Sequence, residues 1–144
     1  MFRTITPENR DEYQDLLDDM HRMRYRIVVG EWGWEIPGIP EGYDKDQFDT
    51  DNTVYIVVRN EVGEVVATSR MNPTTQPHML SDLFADYCDL QPYPVGTDVW
   101  ECSRFVTDRS LLADPVEDFR IRCRLGIGLT VFCLDKGINR LSWL

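Results

Sequence analysis

The sequence predicts an α/β fold, on three observations. Two long segments repeat apolar residues at helical spacing. Short runs rich in β-branched and aromatic residues lie between them, two of which are separated by a turn of hairpin length. The 42% hydrophobic and 11% aromatic content of 144 residues is enough to bury a core for one domain over 1–144.

Phe2 to Ile5 suits a short strand. Thr6-Pro7 then reads as an N-cap followed by proline at the first helical position, so a helix is expected from about Pro7 to about Val29. Its apolar face carries Tyr13, Leu16, Leu17, Met20, Met23 and Ile27, and its opposite face Asp11, Asp15, Asp18 and Arg22. Arg22, Arg24 and Arg26 cluster near its end, where cations complement the helix dipole. The pattern breaks at Gly30 and Gly33, and Gly30 to Asn52 reads as a long loop. Trp32, Trp34 and Phe48 give it apolar surface that a disordered segment lacks. One tryptophan is expected to pin the loop to the core and the other to face a ligand. With Asp46 and Asp49 added, the segment from Arg24 to Asp49 suits a zwitterionic or cationic small molecule.

Thr53 to Arg59 and Glu64 to Met71 read as a hairpin turning at Asn60-Glu61-Val62-Gly63. Arg70 interrupts the second strand, and a charge there needs a carboxylate, for which Asp46 and Asp49 are candidates. A short helical pattern passes through Leu80, Leu83 and Phe84. Asp98 to Thr107 is a strand whose strict alternation puts Val99, Glu101, Ser103 and Phe105 on one face and Trp100, Cys102, Arg104 and Val106 on the other. A partly buried Glu101 would have the raised pKa that suits a general base, and a satisfied buried ion pair is the structural alternative. A second helix is expected from about Pro115 to Lys136, ending at Gly137. Gly126 and Gly128 inside it either allow close packing or mark a later start.

The net charge of −10 argues against nucleic acid as a partner. Residues 102–144 carry 7 Lys and Arg against 5 Asp and Glu, so an acidic partner could dock only there, near Arg109, Arg120, Arg122 and Arg124, with solvated helix charges as the equal alternative. No run is long enough to cross a bilayer, and neither a signal peptide nor Cys and His spacing for a zinc site or a disulfide framework stands out. These features predict a cytoplasmic protein with reduced thiols, no membrane insertion and no metal.

Four elements in register resemble the acyl-homoserine lactone synthases of bacterial quorum sensing. They are Arg24 with Trp34 ten residues on, Asp46-Gln-Phe-Asp49 before an Asn-Thr-x-Tyr strand start, Ser69-Arg70, and Glu101-Cys-Ser103-Arg104-Phe105. The resemblance implies a three-layer α-β-α sandwich with a mixed sheet, like that of the GNAT N-acyltransferases. It implies acyl transfer from acyl-carrier protein or acyl-CoA to the amine of S-adenosylmethionine, a substrate rather than a cofactor, followed by lactonisation and release of methylthioadenosine; the alternatives are a truncated non-catalytic remnant that binds a ligand or partner, or an acyl-CoA N-acyltransferase with another amine substrate. By the same resemblance Trp34, Asp46 and Asp49 would meet the sulfonium, Arg24 or Arg104 the carboxylate, and Glu101 would serve as base, with Arg70 and Ser103 in a structural network. Val28 stands where the family usually has a phenylalanine beside the adenosylmethionine site. Family members also continue beyond the end of this chain, so a truncated acyl pocket, or closure of the open C-terminal sheet edge by dimerisation, is expected.

Overall fold

The structure is a computed structural model describing residues 1–144. Its five strands are β1 (Phe2–Ile5), β2 (Val54–Arg59), β3 (Val65–Pro73), β4 (Val99–Thr107) and β5 (Arg140–Trp143). They form one mixed sheet in that order. The first four pair antiparallel, and β5 runs parallel to β4 because the helix α3 (Pro115–Lys136) carries the chain back between them.

Period-two alternation sorts the sheet into two faces. Val54, Ile56 and Val58 of β2 pack with Ile121, Leu125, Leu129 and Phe132 of α3. Tyr55 and Val57 pack on the other side with Leu16, Leu17, Met20 and Met23 of α1 (Gln14–Tyr25). Helix, sheet and helix are therefore three layers. With both faces covered, β2 and β3 are buried along nearly their whole length. A short helix, α2 (Met79–Leu83), lies on the long connection between β3 and β4.

Three local expectations need correction. The first helix starts later than Thr6-Pro7 suggests. Asn9 Oδ1 accepts from the Thr6 N–H at 2.8 Å, and Arg10 reaches the carbonyls of Thr50 and Thr53, which holds a turn and a 3-10 segment ahead of Gln14. Gly30 does not end the helix either, because the chain widens into a π-turn from Arg26 to Glu31 and leaves it at Trp32. Strict alternation fails in β4. Thr68 faces Val106 while Arg70 faces Ser103, so Arg104 and Phe105 together oppose Ser69 in a bulge, with Arg104 at φ 52°. Arg104 consequently sits with Glu101 and Ser103 on the α1 side, rather than with Trp100 and Cys102.

The glycines of α3 differ. A Cβ on Gly128 would lie 2.6 Å from Ile56 Cγ2 and 3.0 Å from Phe2 Cδ2, so this glycine permits the helix to lie close on the sheet. Gly126 has nothing within 4 Å of that position. Gly128→Ala should therefore destabilise by about 1–3 kcal/mol through overpacking. Gly126→Ala should stabilise by up to about 1 kcal/mol through helix propensity. Urea denaturation of the two variants checks the pair, and equal effects would contradict the packing.

Candidate functional site

Beside the sheet, three arginines from three elements meet three aspartates from one loop. Arg24 comes from the last turn of α1, Arg70 from β3 and Arg104 from the β4 bulge. Asp44 Oδ2 accepts from the Nε of both Arg24 and Arg104 at 3.0 Å. Asp46 bridges Arg70 and Arg104. Asp49 takes a bidentate pair from Arg24 at 2.8 and 3.0 Å, a third bond from Arg70 at 3.0 Å and the Tyr55 hydroxyl at 2.9 Å. Arg70 also donates to Ser103 Oγ at 3.0 Å. Burial opposes ionisation of Asp49, but Arg24 and Arg70 hold it well below the usual carboxylate range. Asp44 is lowered against the same burial by Arg24 and Arg104. Burial works against the charge of Arg24 too, and Asp49 and Asp44 more than offset it, so its pKa stands above the ordinary arginine value. The three carboxylates offer oxygens within 4.8 Å of one another, yet guanidinium groups already take the positions a cation would occupy.

His21 secures this loop to α1. Its ring Nδ1 donates to the Asp44 carbonyl at 2.7 Å, and the Asp44 N–H donates to the His21 carbonyl at 3.1 Å. Burial and then Arg24 lower the His21 pKa to about 4, with Lys45 acting the same way and Asp49 against.

The open surface lies next to the charges. Gly33, at φ 70°, lets the chain turn between Trp32 and Trp34, whose rings stand 5.9 Å apart at the centroids. Both are about half exposed, so neither pins the loop, and the expected division between them does not hold. Phe48, 3% exposed, supplies that anchor and stacks 5.7 Å from the Arg70 guanidinium. The Arg104 guanidinium lies 5.6 Å from the Trp34 ring. Two adjoining clefts of about 340 Å³ and 280 Å³ share Trp34, Met79, Phe84 and Arg104. Phe105 and Trp143 wall the first, and Asp46 and Phe48 the second. Arg104 commits Nε and Nη2 to carboxylates, while Nη1 meets only the Met79 sulfur at 3.9 Å. It is the guanidinium with a donor to spare beside open space.

Several residues expected at the ligand line neither cleft. Arg24 is 0% exposed and wholly engaged by Asp44 and Asp49. Asp49 is sealed in the same network. Val28 is buried in the core beneath the first helical segment and lines neither cleft. Glu101 is 0% exposed, and its oxygens accept from the N–H groups of Met79 and Leu80 at 3.1 and 2.7 Å, so it anchors α2 against the sheet. Asp44, His21 and Met79 were not singled out from the sequence. Counting three arginines against two aspartates and then looking for a third in Asp44-Lys-Asp46 would have found the first of them.

The fold is thus a mixed α/β sheet with an arginine–aspartate cluster beside an aromatic cleft. Residues 8–141 match the model of the autoinducer synthase family. The chain belongs to that family. It is 33% identical over 142 residues to the isovaleryl-homoserine lactone synthase of Bradyrhizobium diazoefficiens, covering 99% of this chain and 62% of that one. It is 41% identical over 83 residues to an acyl-homoserine-lactone synthase of Ralstonia solanacearum, covering 57% of this chain and 41% of that one. The structure superposes on the CoA-dependent acyl-homoserine lactone synthase BjaI, solved with SAM and isopentyl-CoA, with a TM-score of 0.86 and 32% identity over 99% of this chain and 65% of that chain. This chain thus spans less than two thirds of the length of these relatives.

Two outcomes follow from the network. Asp49→Ala leaves Arg24 and Arg70 short of a buried counter-charge and should cost about 3–5 kcal/mol in chemical denaturation, against less than about 1 kcal/mol for the exposed pair partner Asp51→Ala. For His21 the unfolded chain binds its proton below about pH 6.5 and the folded chain only below about 4, so stability rises with pH across that window. Its contribution is complete above pH 6.5. The protein should be about 2 kcal/mol less stable at pH 5 than at pH 7 from this group. His21→Gln should flatten that slope in denaturant titrations at the two pH values, and an unchanged slope would rule His21 out as its source.

Proposed function

We propose that the chain carries the adenosylmethionine-binding part of an acyl-homoserine lactone synthase. Acyl transfer from a thioester to the amine of S-adenosylmethionine is followed by lactonisation. The observation that carries this reading is the Arg104 guanidinium, with a free donor at the mouth of a cleft walled by Trp34, Met79 and Phe84. Family membership and the likeness to BjaI, which has been solved with SAM and isopentyl-CoA and with MTA, support it. The substrate carboxylate would take the spare Arg104 donor, and the sulfonium the face of Trp34 and the partial negative charge left on Asp46.

In the first step the substrate ammonium gives one proton to solvent, the amine lone pair so freed attacks the thioester carbonyl, the C–S bond breaks, and the thiol leaves with the second nitrogen proton. In the second the carboxylate oxygen attacks the γ-carbon, whose bond to the sulfonium breaks to release neutral methylthioadenosine. Arg104 and Trp34 orient the substrate for both. Asp44, Asp46, Asp49, Arg24 and Arg70 keep Arg104 in place, and Glu101 keeps Met79 against it through α2. The acyl donor is taken to be acyl-CoA, as in BjaI, with acyl-carrier protein as the second donor to assay. We further assign the layers to the GNAT-like architecture, in keeping with the β4–α3–β5 crossover, and the protein to the cytoplasm, in keeping with four unpaired cysteines and no helix long and apolar enough to cross a membrane.

The test is incubation with S-adenosylmethionine and sets of acyl-CoA and acyl-carrier-protein thioesters, with mass spectrometry for methylthioadenosine and acyl-homoserine lactones. Both products are expected together. Trp34→Ala, at a half-exposed position, should keep the thermal midpoint and lower kcat/KM at least about tenfold. A folded wild-type chain that forms neither product would overturn the reading.

A further inference from the structure

His21 and Arg24 stand three residues apart on α1 and so share one face of the helix. Both hold Asp44, but by different parts. His21 takes the backbone: its Nδ1 donates to the Asp44 carbonyl at 2.7 Å, and its own carbonyl accepts from the Asp44 N–H at 3.1 Å. Arg24 takes the side chain, through Nε to Oδ2 at 3.0 Å. The same Oδ2 accepts from Arg104 Nε at 3.0 Å, so one oxygen serves two guanidinium groups. Oδ1 is buried and accepts from no protein group.

That division is lopsided. A carboxylate free to turn between two guanidinium groups gives an oxygen to each, because a buried acceptor without a donor loses its solvation uncompensated. The side chain alone therefore does not set where Asp44 stands, and the reciprocal backbone pair to His21 is the constraint that does. The His21 ring has little freedom of its own. It is 3% exposed, with its centroid 4.9 Å from that of Tyr43 and 5.8 Å from that of Tyr55. The Tyr43 hydroxyl is tied to Asp18 of α1, and that of Tyr55 to Asp49. A carbonyl can only accept, so the ring carries its proton on Nδ1.

We infer that His21 is a positioning residue for Arg104, acting through Asp44. Its Nδ1–H bond sets Asp44 Oδ2 against Arg104 Nε, which leaves the spare Nη1 of Arg104 beside the cleft. Without that bond Asp44 can turn Oδ1 onto a guanidinium, and Arg104 loses its fixed acceptor. The consequence for substrate rests on the function proposed above, whereas the geometry does not. There Arg104 meets a carboxylate present in the substrate and in the acyl-transfer transition state alike, so the loss falls on KM rather than kcat.

Two variants separate positioning from packing. His21→Leu removes the donor and keeps most of the volume, whereas His21→Asn keeps a donor at the Nδ1 position and loses volume. Nitrogen-15 NMR of the chain without ligand at pH 7 should show the His21 ring as Nδ1–H and a slowly exchanging Arg104 Nε–H, assigned by its loss in Arg104→Lys. That exchange should be about tenfold faster in His21→Leu and within about threefold of wild type in His21→Asn. In the product assay, KM for S-adenosylmethionine should rise about tenfold in His21→Leu, with kcat changed less than about threefold, and His21→Asn should recover most of the rise. If the leucine variant does not fold, His21→Gln, whose amide lies at the Nε2 end of the ring, takes its place with the same expected outcome. An Nε2–H ring in the wild type overturns the inference, as does an Arg104 Nε–H that stays protected without the donor. Equal losses in the donor-deleted and asparagine variants make the effect one of packing and overturn it too. The expected exchange pattern in a chain that forms no product leaves the positioning standing and removes the reaction.

Discussion

The structure depends on an electrostatic balance. Arg24, Arg70 and Arg104 are 0%, 0% and 6% exposed, and a single unpaired ion at such depth costs several kcal/mol. Three aspartates within six residues neutralise them, so the cluster is close to neutral as a whole while each member is charged. The long loop from Trp32 to Thr53 has no helix or strand of its own. It is fixed because its carboxylates are required elsewhere, with His21 and Phe48 as additional ties. Charge pairing here supplies what backbone ladders supply in the sheet.

That balance decides what the cleft can recognise. Had the aspartates been unpaired, the cleft would attract cations from any source; had the arginines been, any anion. With both matched, recognition falls to the residual donor of Arg104, the π-faces around it and the Asp46 carboxylate at the cleft wall. The bulge makes this geometry. Without the extra residue in β4, Arg104 would point toward α3 and the network would lose the side chain that reaches the open cleft. A non-glycine residue at φ 52° is sparsely populated backbone, and it persists because Asp44 and Asp46 grip the side chain from two directions.

The parts of the fold that rest on period and propensity were legible in the sequence. The hairpin, the amphipathic face of α1, the span of α3 and its stop at Gly137 each follow from neighbours within a few residues. The pairing of Arg70 with Asp46 and Asp49 was legible too, because a charge inside a strand demands a partner. What escaped depended on distant pairings. Arg24 and Arg104 meet Asp44 across 20 and 60 residues, so nothing local distinguishes Arg24 from a cation compensating a helix dipole. The start of α1 was misplaced because Asn9 competes for the Thr6 N–H, and the faces of β4 because a bulge has no reliable signature when its residue is not glycine.

The alternation that places the charges also settles which groups stay out of the chemistry. Cys102 lies between Glu101 and Ser103 in sequence but on the opposite face, in the α3 core. Burial pushes its thiol up to about 12, against a contact with the Ser69 hydroxyl, so at neutral pH it is not a thiolate. No cysteine lines either cleft. A covalent acyl-enzyme on sulfur is therefore not a route open to this arrangement. In the proposed reaction the acyl group passes directly from donor thioester to amine, and the protein contributes orientation and charge rather than a nucleophile. A site built to orient needs rigidity, and in that proposal the ion pairs to Asp44 and Asp46 supply it by holding Arg104 in place.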